Sequence, residues 1–319
     1  MDLTFDKILV TGGAGFIGSH LVEALVAKGG SVSVLDNLTT GSRTNLAKVE
    51  KQIVFHKGDI RDPQLLNEVS KGCEVIFHLA AEVSVPRTIE DPVESTMINV
   101  MGTLLVLEAA RKNEVKRVVL SSSCAVYGEG AQGPKHESMR PEPLSPYAVQ
   151  KLNGEFYARL YAELYGLETV CLRYFNVYGP RQDPSSAYSG VISIFLNRAI
   201  SAEKPMIYGD GNQYRDFVFV KDVVRSNLMA AKSNRAVGRI FNIATGKFIR
   251  INQLWEIISQ QSGINIKPDY QPPRTGDIVE SVADIGHARQ QLGFETNYSF
   301  EKGIQITLDW YRSQTEQPK

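Results

Sequence analysis

The sequence contains few of the residues that bind metals or form disulfides. Its three cysteines, Cys73, Cys124 and Cys171, are scattered and form neither a CxxC pair nor a disulfide framework. The five histidines show neither an HExxH pattern nor a pair separated by three residues. We therefore predict no metal site and a reduced, cytoplasmic protein.

An excess of charge and long apolar runs are also missing. Thirty-five basic residues balance thirty-five acidic ones, so bulk electrostatics predict no nucleic-acid or membrane-surface partner. No apolar stretch approaches the roughly 20 residues that span a bilayer, and the first residues lack a signal-peptide layout. With 319 residues, 43% of them apolar, and a mean hydropathy of −0.18, the sequence is typical of a soluble globular protein.

The first half alternates short β-branched runs with helical patterns. Most of the runs are continuously apolar, as expected for strands that are buried on both faces of a parallel sheet. Helices are predicted from residue 17 and over about 93–112 and 146–165. This alternation predicts an α/β fold with a doubly wound, Rossmann-like parallel sheet. The candidate strands are 7–11, 31–36, 52–56, 74–80, 116–122 and 168–174.

The regular alternation ends after residue 174, where glycine- and proline-rich loops and short elements follow. We assign residues 1–175 to a nucleotide-binding domain and residues 176–319 mainly to a smaller C-terminal substrate-binding domain. The run 239–244 resembles another sheet strand, so we expect a segment near 216–244 to return to the first domain.

The first strand leads into TGGAGFIG, residues 11–18, which opens the first helix. Glycines at Gly12, Gly15 and Gly18 would permit a tight turn and a close approach to a pyrophosphate at the helix N-terminus. Asp36 ends the second strand, where a carboxylate holds a ribose hydroxyl and repels a 2′-phosphate. The pattern predicts dinucleotide binding and favours NAD over NADP, although Arg43 follows closely.

A second pattern is SPYAVQK, residues 145–151, in which Tyr147 and Lys151 lie four apart on one helical face. We expect the nearby ammonium to lower the pKa of the tyrosine toward the working range of a general base. Hydroxyl groups also end the run VVLSSS, at Ser121 to Ser123, where a buried strand should emerge.

Together these motifs resemble the extended short-chain dehydrogenase/reductase family, most closely its nucleotide-sugar 4-epimerases of the UDP-galactose 4-epimerase type. The resemblance covers essentially the whole chain. It includes HLAAEVSVPRT (78–88), INVMGT (98–103), LRYFNVYGPRQDP (172–184) and GDGNQYRDFVFVKDV (209–223).

The resemblance implies an NAD-dependent reaction at the sugar C4 atom. Tyr147 would take the C4 hydroxyl proton, Ser123 would hydrogen-bond the same oxygen, and Lys151 would hold the nicotinamide ribose and tune Tyr147. The residues predicted to contact NAD are Gly12, Gly15, Phe16, Ile17, Gly18, Asp36, Asn37, Asp59, Ile60, Leu79, Ala80, Ala81, Asn99, Ser121, Tyr147, Lys151 and Tyr174. Those predicted to contact a UDP-sugar are Ser84, Ser123, Tyr147, Asn176, Tyr208, Arg215, Phe217, Arg274, Asp277 and Ser281.

The loop after the serines distinguishes between the reactions of such enzymes. The related 4,6-dehydratases and decarboxylases carry acidic residues there, in patterns such as TDEVYG and SEVYG. This chain has Cys124 and Ala125 instead. Because elimination of water would lack its acid, we predict an epimerase.

The sugar is less constrained. Ser281 aligns with a position that walls the sugar pocket, and its small side chain would admit N-acetyl groups, so UDP-GlcNAc and UDP-GalNAc join UDP-glucose and UDP-galactose as predicted substrates. Ser84 and Arg87 could serve a uronate, which leaves UDP-glucuronate epimerisation as an alternative, and a non-catalytic nucleotide-sensing protein is the rival class. The family implies a homodimer through helices 93–112 and 146–165, whose apolar residues could equally serve the intrachain core.

Overall fold

A computed structural model describes residues 5–129, 133–183, 190–273 and 280–315. The strands are β1 Lys7–Thr11, β2 Ser31–Asp36, β3 Ile53–Lys57, β4 Val75–His78, β5 Arg117–Ser123, β6 Glu168–Tyr174, β7 Asn176–Tyr178, β8 Met206–Tyr208, β9 Tyr214–Arg215, β10 Phe217–Phe219, β11 Arg239–Ile243, β12 Ile249–Arg250, β13 Asp269–Gln271 and β14 Glu280–Ser281. The α-helices are α1 Phe16–Val26, α2 Pro63–Ser70, α3 Val85–Glu90, α4 Pro92–Thr96, α5 Thr103–Lys112, α6 Pro146–Tyr165, α7 Val191–Ile200, α8 Val220–Lys232, α9 Ile251–Ser262, α10 Gly286–Leu292 and α11 Phe300–Thr315.

Seven strands form one parallel sheet in the order β11-β6-β5-β4-β1-β2-β3. The chain order reverses between β1 and β4, so the carboxyl ends of these two strands flank a crevice in which α/β proteins bind ligands. The predicted doubly wound, Rossmann-like fold is confirmed.

Both faces of this sheet are covered, as the continuously apolar strands require. Helices α1, α8 and α10 pack on one face, and α2, α5 and α6 pack on the other. On α1 the buried side chains Leu21, Val22 and Leu25 recur at helical spacing and face the sheet. Two apolar cores therefore enclose the sheet and hold the ends of its strands in fixed positions.

Strand β4 is shorter than predicted, because its pairing with β1 and β5 stops at His78. The backbone then leaves the sheet, and Leu79, Ala80 and Ala81 border a large cavity. The apolar side chains of these three residues predicted a longer strand, but the residues form part of the cavity wall instead.

Residues Pro92–Lys112 form one continuous helix, with a π-helical turn at Met97–Gly102 between α4 and α5. By length and composition alone it could cross a membrane, which the sequence did not lead us to expect. However, its polar residues bond inside the protein: Asn99 contacts Gln150, and Thr103 contacts His78. One side packs against the sheet, as in a core helix.

A second cluster of buried residues lies beyond the sheet. Phe195 of α7 meets Trp255 of α9 edge to face, with ring centroids 5.6 Å apart, and Leu308 of α11 joins the same cluster. The chain also returns from this region, because β11 pairs with β6 at the edge of the main sheet. The division of the chain at residue 175 stays a prediction.

Candidate active site

One cavity of about 1210 Å³ runs from the glycine loop, past the carboxyl ends of β4 and β5, to the second cluster. It is bordered at one end by Gly12 and Asp36, in the middle by Ser123 and Tyr147, and at the other end by Arg215. The cavity is large enough to take a dinucleotide and a second ligand side by side.

The glycine loop is packed so tightly that larger residues cannot replace two of its members. Gly12 has φ +70°, and a Cβ atom there would lie 2.6 Å from the backbone nitrogen of Ala80. A Cβ atom on Gly18 would collide with the carbonyl oxygen of Gly12. Gly15 caps α1 and borders the cavity. This arrangement fits a pyrophosphate at the N-terminus of α1.

Asp36 is 7% exposed and borders the cavity. Its carboxylate accepts hydrogen bonds from the backbone N–H groups of Ala14 and Leu38, at 2.9 and 2.8 Å, while burial raises its pKa. Arg43, the residue that could have favoured a 2′-phosphate, pairs instead with Glu50. The carboxylate is thus fixed where a ribose would lie, which fits NAD.

Further along this wall, the Asp59 carboxylate is held by Arg61 and by Asn37. Hydrogen bonds from the Arg61 side chain lower the pKa of Asp59 to about 2. Asp59 and Ile60 both border the cavity, so this carboxylate is a fixed acceptor at the adenosine end of the predicted site.

Helix α6 begins at the residue that the sequence predicts. Ser145 caps α6 by accepting a hydrogen bond from Ala148 N, and Pro146 occupies the first turn. Tyr147 and Lys151 then project into the cavity from one helical face. The Lys151 ammonium lies 5.8 Å from the centre of the Tyr147 ring and donates a hydrogen bond to Ser121 O at 3.1 Å.

The pKa of Tyr147 moves in the opposite direction to our prediction. Burial raises it to about 12, and a hydrogen bond with Ser123 only partly opposes the rise. Burial also lowers the pKa of Lys151 to about 8. The predicted lowering of the Tyr147 pKa is therefore not found for the protein alone, because loss of hydration on burial dominates.

The comparisons with known proteins address this arrangement directly. Residues 8–244 match the NAD dependent epimerase/dehydratase family. The matched range includes the glycine loop, the serine end of β5 and the helix that carries Tyr147 and Lys151. The chain belongs to this family. The resemblance noted in the sequence is confirmed, and NAD is the cofactor.

Among the relatives of this epimerase is the UDP-glucose 4-epimerase of Mycolicibacterium smegmatis, which is 40% identical over 97% of the chain and all of the relative. The structure of UDP-glucose 4-epimerase from Thermotoga maritima with UDP-glucose is 39% identical, with a TM-score of 0.93 over 97% of the chain and 100% of its own. A UDP-N-acetylglucosamine 4-epimerase from Methanobrevibacter ruminantium M1, in complex with UDP-N-acetylmuramic acid, is 40% identical with a TM-score of 0.94, covering 98% and 100%. These relatives support nucleotide-sugar 4-epimerase activity.

Most predicted site residues of this epimerase border the one cavity. On the nucleotide side only Asn99 does not: it is buried, and its amide bonds Glu82 and Gln150. Asn99 thus supports Glu82, a residue of the cavity wall, and its predicted contact with NAD stays a prediction.

The substrate-side residues Ser84, Asn176, Tyr208, Arg215 and Phe217 line the far part of the cavity. Arg274 and Asp277 lie outside the described residues.

Ser281 lies in β14, next to Arg215 of β9, and it is not among the described residues that line the cavity. Its carbonyl oxygen accepts the Asp216 N–H at 2.7 Å, which ties β14 to the strand segment carrying Arg215. Ser281 is thus the strand neighbour of a cavity residue, and its predicted contact with the sugar stays a prediction.

Two features of the wall escaped the sequence reasoning. Glu82 borders the cavity as a buried carboxylate and pairs with Arg87. Arg181 also borders the cavity and pairs with Glu23 of α1. Glu82 could have been predicted, because a carboxylate four residues beyond β4 is visible in the sequence. Arg181 and Glu23 are 158 residues apart, and no local pattern indicates that they pair.

Proposed function

We propose that the protein interconverts UDP-glucose and UDP-galactose through a 4-keto sugar. One observation carries the proposal: Ser123, Tyr147 and Lys151 border the same cavity as the glycine loop and Asp36. Bound NAD supplies a hydride acceptor that returns the hydride within each cycle. The net reaction is therefore an isomerisation.

In this proposal Tyr147 takes the proton of the sugar C4 hydroxyl and later returns it. Ser123 donates a hydrogen bond to the same oxygen, where negative charge develops. Lys151, whose ammonium lies 5.8 Å from the centre of the Tyr147 ring, holds a ribose hydroxyl. A buried phenol with a pKa of about 12 is a weak base until a positive charge lies beside it, so we expect proton transfer to depend on the loaded site.

The turn after Ser123 supports epimerisation over elimination. Residues Cys124–Tyr127 form a short 3₁₀ turn that carries no carboxylate. Burial raises the pKa of Cys124 to about 11, so its thiol stays protonated at neutral pH and does not replace an acid–base pair. The proposed product is an epimer.

We also propose that N-acetylhexosamine substrates are accepted. The UDP-N-acetylglucosamine 4-epimerase at 40% identity supports this, as does the small side chain of Ser281, whose strand pairs beside the cavity residue Arg215. Ser281→Tyr should abolish turnover of UDP-GlcNAc and spare that of UDP-glucose. Equal loss of both would contradict this part of the proposal.

The central test uses purified protein and a panel of UDP-glucose, UDP-galactose, UDP-GlcNAc and UDP-glucuronate, with product separation. Tyr147→Phe should reduce turnover of UDP-galactose at least about a hundredfold, because a positioned acid–base group contributes that much or more. Tyr165→Phe, on an exposed tyrosine at the end of the same helix, is the matched control and should retain activity. Wild-type turnover in Tyr147→Phe, or a dehydrated product, would overturn the proposal.

Finally, we propose a cytoplasmic homodimer. Apolar side chains on α6 and on the helix Pro92–Lys112 are exposed, and these helices pack side by side. The exposed apolar side chains on these two helices include Val93, Met97, Met101, Phe156, Leu160 and Leu164. The three cysteines are free, as in a reducing compartment.

A further inference from the structure

The loop after β4 places an ion pair in the wall of the cavity, with its carboxylate buried and its guanidinium about half-exposed. Glu82 has a side chain only 8% exposed, and its carboxylate lies 3.1 Å from the guanidinium of Arg87. The other carboxylate oxygen accepts the backbone N–H of Ser84 at 2.9 Å. Glu82, Ser84 and Arg87 all border the cavity.

This wall is fixed relative to the catalytic helix. The amide of Asn99 bonds both the N–H and the carbonyl oxygen of Glu82, at 2.8 and 2.9 Å. The same amide donates to the Gln150 side chain at 2.7 Å, and Gln150 directly precedes Lys151 on α6. Helix α3, which carries Arg87, also packs against α6. The backbone that carries the Glu82 carboxylate is therefore held in place in the cavity wall and is linked to α6.

A fixed carboxylate at this position matters for the group at the sugar C6 atom. C6 is joined to C5, the neighbour of the reacting C4, so it stays close to Tyr147 whichever face of the sugar is presented. In hexoses this group is a neutral hydroxymethyl, whereas in uronates it is a carboxylate. A second carboxylate beside Glu82 would suffer like-charge repulsion in a partly dehydrated cavity. Arg87, the cation that could bind it, is already neutralised by Glu82.

We infer that Glu82 is a specificity-determining residue that excludes UDP-uronates, both by its own charge and by occupying Arg87. The inference rests on the proposed UDP-hexose 4-epimerase function and reverses the expectation that Arg87 serves a uronate. Discrimination by an unfavourable charge is a common way to reject a near-identical substrate.

The test is the Glu82→Gln variant, which removes the charge while keeping an oxygen for Ser84 N–H. The ratio of kcat/KM for UDP-glucuronate to that for UDP-glucose should rise at least about tenfold over wild type, because Arg87 is released. Glu90→Gln, which neutralises an exposed carboxylate at the end of the same helix α3, is the matched control and should leave the ratio unchanged.

A double variant identifies the group that binds the uronate. In Glu82→Gln/Arg87→Gln the gain should disappear, because the released cation is gone. If turnover is too slow in any variant, competition of UDP-glucuronate and UDP-glucose for the NAD-loaded protein gives their ratio of dissociation constants, which should shift in the same direction.

The outcomes separate the two proposals. An unchanged ratio in Glu82→Gln, with UDP-glucose still turned over, overturns the role of Glu82 and leaves the proposed function intact. Equal kcat/KM values of the wild type for UDP-glucuronate and UDP-glucose would also overturn the role of Glu82. If wild type converts none of these sugars, the proposed function itself fails.

Discussion

Glu155 of α6 and Arg173 of β6 form an ion pair of 2.7 Å in which each side chain is only 2% exposed. Glu155 also accepts the Ser122 hydroxyl at 2.5 Å, and the Arg173 guanidinium lies 4.7 Å from the centre of the Tyr127 ring. Glu155 follows Tyr147 and Lys151 at intervals of four residues, so it lies on the same face of α6. The pair thus joins the catalytic helix to the strand that ends at Ser123.

Breaking this pair should be costly for stability. Glu155→Gln leaves a buried guanidinium without its counter-charge, and we expect the free energy of unfolding to fall by about 3–5 kcal/mol. Urea denaturation followed by circular dichroism measures the change. Glu163→Gln, which removes one partner of the exposed Arg159–Glu163 pair on the same helix, should change stability little. Equal effects of the two variants would show that burial of the Glu155 pair is unimportant.

The buried Lys151 predicts a specific pH dependence of stability. Its pKa is lowered from 10.5 to about 8, so the unfolded chain binds more protons at this residue between those pH values. The contribution of Lys151 to the free energy of unfolding should therefore rise with pH from about 8 and level off near 10.5. The measurable quantity is the stability of the NAD-free wild type minus that of Lys151→Met. A difference that stays flat, or falls, through this window would be inconsistent with a buried ammonium.

Two glycines of the loop should respond differently to alanine. In Gly18→Ala the added Cβ meets backbone atoms of Gly12 and Gly13, which cannot move aside, and we expect a loss of at least about 2 kcal/mol in stability. In Gly15→Ala the Cβ meets only Gly12 O, at 3.3 Å, so the protein should fold normally but bind NAD more weakly, because Gly15 borders the cavity. Thermal unfolding without NAD and titration with NAD measure the two effects. Undiminished NAD affinity in Gly15→Ala would contradict the placement of the pyrophosphate.

The exposed apolar face of α6 should mediate dimerisation. Phe156 and Leu164 are 56% and 67% exposed, and both contribute little to the core of one chain. The double change Phe156→Glu/Leu164→Glu should give a folded monomer, as measured by light scattering after gel filtration. Val54→Glu, on an equally exposed valine of the edge strand β3, should leave the assembly unchanged. A wild-type monomer, or an intact dimer in the double variant, would refute the prediction.

Local patterns predicted much of the fold and of the nucleotide half of the site. The glycine loop, Asp36 and the Tyr147–Lys151 pair are each encoded within a few residues, and the comparisons confirm the family that they indicate. In contrast, no local pattern predicted which face of the helix 93–112 enters the core. There the structure buries Leu107 and exposes Met97 and Met101.

The substrate half was harder to predict, because its walls come from distant segments. Glu82 is positioned by Asn99 and Gln150, which follow it by 17 and 68 residues, and no spacing rule links these three. Ser281 matched a wall position by motif, but its pairing partner Arg215 lies 66 positions earlier in the sequence, and no local pattern links the two.

The fold and the family could be predicted from the sequence alone, because apolar periodicity and turn residues act over short distances along the chain. The pKa values of Tyr147 and Lys151, by contrast, depend on the tertiary structure. Burial raises the pKa of Tyr147 to about 12 and lowers that of Lys151 to about 8, in both cases because packed neighbours remove water from the charged form. The tertiary structure also places Glu82 next to Arg87 in the cavity wall. A buried carboxylate requires a partner of this kind, and the partner is in place only in the folded protein.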